Sequence, residues 1–513
     1  LIDVLGGLCQ RRAKSKTGVK AVSAGGDDAP ERSDASSQPG MSEPLVLHPD
    51  RLFPADPVQR DLARGLYQSV RDLPIISPHG HTDPAWFAGD TPFPNPAELL
   101  ITPDHYVFRM LYSQGVALED LGIAPRTGAD RPVEQDPRAI WRRFAAHYHA
   151  FDGTPSQAWH DWVYAEVFGL TERLSAATAD TYYDTIQARL ESPDFRPRAL
   201  MDRFNIELIA TTEDALDPLE HHAKIRADGW GSRVITTFRP DNVLDPGHPT
   251  FADNLVRLGE ITGQDTQSYA GYLAALEDRR AWFRAHGATA TDHGHATAHT
   301  ADLSRAEAEA LFDRVKSGQA TPQEAETFRG HMLLEMARMS LDDGMVMQIH
   351  AGCYRSHNAQ VADRFGPNMG DDLPLAADYT NGFKALLNRY GNEPDLTIIA
   401  FTLDETTYSR ELAPMAGHYP ALKLGPPWWF HDSPEGMRRY REQMTETAGF
   451  YNTVGFNDDT RAFLSIPARH DVARRMDCAF LARLVSEHRL TTSQAERIAR
   501  DLTYGLVKKA YKL

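Results

Sequence analysis

Two imidazoles stand two residues apart in His79-Gly80-His81, directly after the apolar segment Leu73-Pro74-Ile75-Ile76-Ser77-Pro78. On extended backbone that spacing turns both rings to one side, the arrangement two metal ligands need. His350 ends a second apolar run, Met345–His350, and the acidic pair Asp458-Asp459 follows a third, Tyr451–Phe456, with Arg461 two residues beyond. Imidazoles and one carboxylate make an N/O donor set that suits Zn²⁺ and also accepts Mn²⁺, Fe²⁺ or Co²⁺. A carboxylate at such a site can take up and return a proton. His293-Gly294-His295 repeats the H-x-H spacing. Of this second pair, His293 is read with Asp292 as part of the site, and His295 and His299 as solvated loop residues.

These residues matter only if something gathers them. Short β-type runs recur along the chain at Leu73–Ser77, Ile206–Thr212, Arg233–Arg239, Gly287–Thr291, Met345–His350, Leu396–Phe401, Ala421–Gly425 and Tyr451–Phe456, separated by polar or helical stretches. Eight strands alternating with helices is the count of an α/β barrel, and a distorted (β/α)8 TIM barrel is the expected fold. In that fold the chemistry lies at the C-terminal ends of the strands, where the histidines and acids stand. A doubly wound open sheet is the alternative, but its usual Gly-rich turn after the first strand is replaced here by histidines. Length agrees: 513 residues allow a barrel with large insertions. One helical insertion is expected at about residues 100–200, rich in Trp, Tyr and helix formers such as Trp141, Phe144, Trp159 and Trp162, and a second at about 292–343.

The composition, 42% hydrophobic and 24% charged, supports a large buried core and excludes disorder of the whole chain. A net charge of −17 argues against nucleic acid or an anionic membrane surface as partner. No apolar run reaches the ~18 residues of a membrane span. Three cysteines, Cys9, Cys353 and Cys478, give neither a disulfide framework nor a C-x-x-C pattern, which suits a reducing, cytoplasmic setting. Residues 1–40 lack apolar periodicity and read as a disordered extension, with Met41 as the expected native start of a barrel domain spanning 41–513.

Longer strings extend the pattern: Thr102-Pro103-Asp104-His105-Tyr106-Val107-Phe108-Arg109, Phe238-Arg239-Pro240-Asp241, Asp292-His293-Gly294, Gln348-Ile349-His350-Ala351-Gly352-Cys353-Tyr354-Arg355, Gly425-Pro426-Pro427-Trp428-Trp429-Phe430 and Asp459-Thr460-Arg461. The ordered set resembles the uronate isomerases (glucuronate isomerases), a branch of the amidohydrolase superfamily, from about Leu52 to the C-terminus. Gly80 and Thr82-Asp83-Pro84 depart from residues common in and after that family's H-x-H, but no ligand is lost.

The resemblance implies aldose–ketose isomerisation in hexuronate catabolism, D-glucuronate to D-fructuronate and D-galacturonate to D-tagaturonate, by proton transfer through a cis-enediol. It implies one divalent metal, Zn²⁺ the first choice, on His79, His81 and Asp459. Asp459 is preferred to Asp458 because its spacing to Arg461 follows the family. Asp459 is then the base at C2, Tyr106 the group relaying the proton between O1 and O2, and Arg461 a partner of the developing oxyanion. His105, His350 and Asp292 are expected to bind substrate hydroxyls, and Arg239 and Arg355 the substrate carboxylate. Whether His350 also touches metal stays open. The partner is thus a small hexuronate, and self-association is implied by the family. Trp428-Trp429-Phe430 reads as packing. The competing function is a metal-dependent hydrolase on the same barrel, weakened because Thr291-Asp292-His293-Gly294 offers no bridging lysine.

Overall fold

The computed structural model describes residues 43–128 and 131–513; the expected disordered extension lies outside the described residues. Parallel strands β1 (Ile75–Ser77), β2 (Ile206–Asp214), β3 (Val234–Arg239), β4 (Ala290–His295) and β5 (Val346–Ala351) follow one another in the sheet. A short two-stranded antiparallel sheet, β6 (Cys353–Tyr354) with β7 (Leu373–Pro374), stands apart, and β8 (Ile398–Thr402) and β9 (Leu422–Leu424) complete the curled sheet in the order β1-β2-β3-β4-β5-β8-β9. The strands of the curled sheet are largely buried and mostly apolar, as expected where helices cover a parallel sheet.

The last expected run, Tyr451–Phe456, is not a strand. It makes one bridge, Leu424 with Thr453, and then turns at Gly455, whose φ of +80° leaves the β region. The same segment reaches the other edge: the His81 N–H donates to the Thr460 carbonyl at 3.0 Å, and the Ser77 hydroxyl donates to Asp458 Oδ1 at 3.1 Å. Residues 452–460 therefore close the distorted barrel between β9 and β1 as irregular chain. β4 is also displaced from its expected position. It begins at Ala290 and runs on to His295, so residues 292–295, expected in a helical excursion, are strand. Their polar side chains hid the strand from a reading based on apolar runs. Helices Arg305–Lys316 and Pro322–Asp343 follow, both opened by capping boxes, Ser304 with Glu307 and Thr321 with Glu324.

Helices fill the chain from Pro84 to Arg203, between β1 and β2. Many start in one way: Asp83, Asn95, Asp136 and Thr154 cap the next turn with a side-chain oxygen, and proline follows each. Proline there lacks only an N–H that would have no helical partner. Trp141, Phe144, Phe151, Tyr164 and Tyr182 pack these helices into a core continuous with Ile75, Ile206 and Ile209 of the sheet. Trp141 is fully buried and its indole N–H donates to the Ala179 carbonyl at 2.9 Å. A guanidinium ties this layer to the long helix Ile466–Ser486: Arg469 lies 3.6 Å from the Trp159 ring centroid and bonds Asp432 at 2.8 Å. No helix among the described residues is long and apolar enough to cross a membrane.

Candidate active site

A cavity of about 380 Å³ opens at the C-terminal ends of the strands and is lined by His79, His81, His105, Tyr106, Arg239, His350, Arg355, Asp459 and Arg461. Residues scattered over almost four hundred positions thus share one wall. Asp292 lies just beyond it, fully buried, with Oδ1 2.9 Å from His350 Nε2 and Oδ2 3.3 Å from an Arg239 nitrogen. His293 points elsewhere: its Nε2 meets the Thr291 hydroxyl at 2.9 Å and it does not line the cavity. His295, expected in solvent, is buried on the same strand, while His299 is half-buried.

His79 and His81 enter from the loop after β1, their rings at 80° to each other. Asp459 Oδ1 lies 3.6 Å from His79 Nε2 and 3.2 Å from His81 Nε2. Ligands of a tetrahedral Zn²⁺ stand about 3.3 Å apart, and among the described residues the buried Asp459 Oδ1 has no hydrogen-bond partner. Those observations fit a divalent metal on these three residues. The neighbouring Asp458 is committed elsewhere, to Ser77 and to His470 Nε2 at 3.0 Å. His350 faces Asp292 and is not one of the three residues that could hold the ion. Gln348 of β5 supports the site from below, its amide 3.4 Å from His79 Nδ1 and its oxygen accepting from the Tyr511 hydroxyl at 3.0 Å.

Asp459 sits at φ +38°, a conformation rare outside glycine. Its Oδ2 accepts a hydrogen bond from the Trp428 indole N–H, so Trp428 is more than the packing residue expected. Burial pushes the Asp459 carboxyl up, but the His79 and His81 imidazoles and the Trp428 N–H outweigh it and hold the group well below the carboxylate range. Burial likewise opposes the charge on Asp292, yet His350, His79 and Arg239 keep it ionised. Burial raises the Tyr106 hydroxyl and lowers His105 to about 4, so both are neutral near pH 7.

The arginines differ in what already holds them. Arg239 bonds Asp241 through Nε at 2.9 Å and faces Asp292, so two carboxylates share its charge. Arg355 pairs with Asp372 at 2.7 Å and lies over Trp429, 5.3 Å from its centroid. Arg461 lines the cavity without a hydrogen-bond or ion-pair partner among the described residues, and burial depresses its pKa. The sequence reading missed Trp428, Asp372 and Asp241. Trp428 and Trp429 both line the cavity, and indole N–H donors leave no spacing signal; the Asp241 in Phe238-Arg239-Pro240-Asp241 was in view without a role.

A parallel barrel that brings an H-x-H pair from its first strand against an aspartate from its closing segment, beside arginines, has the layout of an amidohydrolase-type enzyme. The glucuronate isomerase profile matches residues 57–511, and the chain belongs to that family. It is 64% identical to a uronate isomerase of Sphingopyxis alaskensis over 477 residues, covering 92% of this chain and all of the relative, and 65% identical to one of Rhizorhabdus wittichii, covering 92% and 99%. The solved glucuronate isomerase of Caulobacter crescentus superposes with a TM-score of 0.89 at 60% identity, covering 92% of this chain and 98% of that one. The uronate isomerase of Thermotoga maritima superposes with a TM-score of 0.84 at 25% identity, covering 91% and 99%.

Proposed function

We propose that the chain interconverts D-glucuronate with D-fructuronate and D-galacturonate with D-tagaturonate at this cavity, within hexuronate catabolism. The carrying observation is the juxtaposition of Asp459, the H-x-H imidazoles and an unpaired Arg461 around one small polar cavity.

Moving the carbonyl from C1 to C2 requires a proton to leave C2 and reach C1, with protons exchanged between O1 and O2. Asp459 is our base. Each carboxylate oxygen has two lone pairs, so the Trp428 bond leaves acceptors free. A carboxylate of low proton affinity abstracts a carbon-bound proton only if the enediolate is strongly stabilised. Arg461 supplies a positive charge with no competing carboxylate bonded to it, and the neutral Tyr106 hydroxyl donates to one oxygen and accepts from the other. A divalent ion, Zn²⁺ by donor type, on His79, His81 and Asp459 would add electrophilic stabilisation of oxygen charge when bound. His105 and His350 are assigned to hydroxyls, with Asp292 orienting His350. Arg355 is the principal partner for the substrate carboxylate and Arg239, already shared by two acids, a secondary one.

Membership in the isomerase family and the absence of lysine at the end of β4 disfavour the hydrolase reading. We also infer a cytoplasmic enzyme, in keeping with its buried free Cys353 and Cys478, acting on a small acid without nucleic acid or membrane, and self-associating as the resemblance implies. Incubation with each hexuronate, followed by ketose assay, tests the function. Ketose formation supports it; cleavage of lactones or amides without ketose formation favours the hydrolase.

A further inference from the structure

The second H-x-H pair is outside the chemistry above, yet it is built like a site. His293 and His295, alternate residues of β4, share one side of the strand, and Asp241 follows β3 beside them. Potential ligand atoms of the three lie within 4.8 Å of one another. His293 is fully buried and its Nδ1 has no partner, while Nε2 is anchored by Thr291. That is the usual outer-shell arrangement of a metal-ligating histidine, one nitrogen oriented and the other free. His295 is 8% exposed, and among the described residues its imidazole makes no hydrogen bond. Burying an imidazole nitrogen unpaired, as His293 Nδ1 is, is costly unless something binds it.

We propose that Asp241, His293 and His295 form a second divalent-cation site. The N₂O donor set suits Zn²⁺, with water completing the shell. Asp241 Oδ2 is taken by Arg239 Nε at 2.9 Å and the Gly294 N–H donates to both carboxylate oxygens at 3.1 Å, leaving lone pairs on Oδ1. The 4.8 Å bound on their separations exceeds the ~3.3 Å edge of tetrahedral zinc, so binding draws in any donors that stand wider.

The location gives the ion a purpose. β3 and β4 pair at one register only, Phe238 with Thr291, whereas β2–β3 and β4–β5 pair along their length. An ion joining Asp241 after β3 to His293 and His295 on β4 would staple this seam. It would also hold the carboxylate that positions Arg239 at the catalytic cavity.

The test uses the full chain, stripped of metal and reloaded with two molar equivalents of Zn²⁺. Anomalous scattering at the zinc edge should give one peak at His79, His81 and Asp459 and another at Asp241, His293 and His295. Metal analysis after desalting should find two equivalents per chain, falling to one in His295→Gln and in Asp241→Asn. No anomalous peak at the second position overturns the proposal, whether or not the variants fold, and so does retention of two equivalents by either variant.

Discussion

Replacing Arg461 with methionine separates a functional arginine from a structural one. The side chain lines the cavity, is desolvated, and has no hydrogen-bond or ion-pair partner among the described residues. Its loss therefore orphans no buried acid, and unfolding free energy should stay within about 0.5 kcal/mol of the parent. The substrate loses one or more charge-assisted hydrogen bonds, worth about 1.5–3 kcal/mol each, so kcat/KM should fall about 10- to 150-fold per bond. A contact made chiefly to the enediolate lowers kcat with little change in KM. Arg239→Met is the contrast, because Asp241 and Asp292 would both lose their cation. It should cost about 3–5 kcal/mol of stability. Coupled ketose assays and urea unfolding of both variants measure these quantities. If Arg461→Met keeps kcat/KM within twofold, or is destabilised as much as Arg239→Met, the argument from its unpaired charge is wrong.

Trp428→Phe removes the N–H donor to Asp459 and keeps most of the ring that packs against His350; kcat should drop at least tenfold while the fold, followed by circular dichroism, is unchanged. A methyl group at Gly294 would stand 2.6 Å from Arg239 Nη2 and from His350 Cε1, so Gly294→Ala should lose about 1–3 kcal/mol of stability and most of its turnover. Burial, reinforced by Arg461 and Arg469 against Asp104, lowers His105 to about 4 from an ordinary 6.5. Between those pH values the unfolded chain binds the proton that the folded chain refuses, so this contribution is complete above pH 6.5 and is lost as pH falls toward 4. It amounts to about 3 kcal/mol. Urea unfolding at pH 7.5 and 4.5 should show a smaller acid loss in His105→Gln than in the parent; equal losses would remove His105 from the account.

Much of the candidate site, in the sense of which residues meet in one cavity, was legible in the sequence because metal and proton chemistry restrict residue types. His79 and His81 at a strand end, and an acid after the last run, are hard to arrange otherwise, and the barrel rule says where such residues meet. Helix starts carry a local signal that went unread, since Asp83-Pro84 and Thr154-Pro155 join a capping oxygen to a residue that needs no N–H partner. Tertiary context decided the rest. Whether Asp458 or Asp459 faces the imidazoles depends on Ser77 and His470, 381 and 12 residues away from Asp458. β4 was misread because its end is polar, and an apolar-run criterion stops where buried polar pairs begin. His295 was assigned to solvent by that same error. The closing segment lost its ladder to the turn at Gly455, and Trp428 showed an aromatic character that packing alone would explain.

The central claim is that Asp459 transfers the C2 proton of a hexuronate. The direct measurement is product formation by NMR from D-glucuronate carrying deuterium at C2, with the parent enzyme and Asp459→Asn compared at saturating substrate. The parent should form ketose, more slowly from the deuterated sugar, and the variant should bind substrate without turnover. Ketose formation by Asp459→Asn at a rate near that of the parent would contradict it.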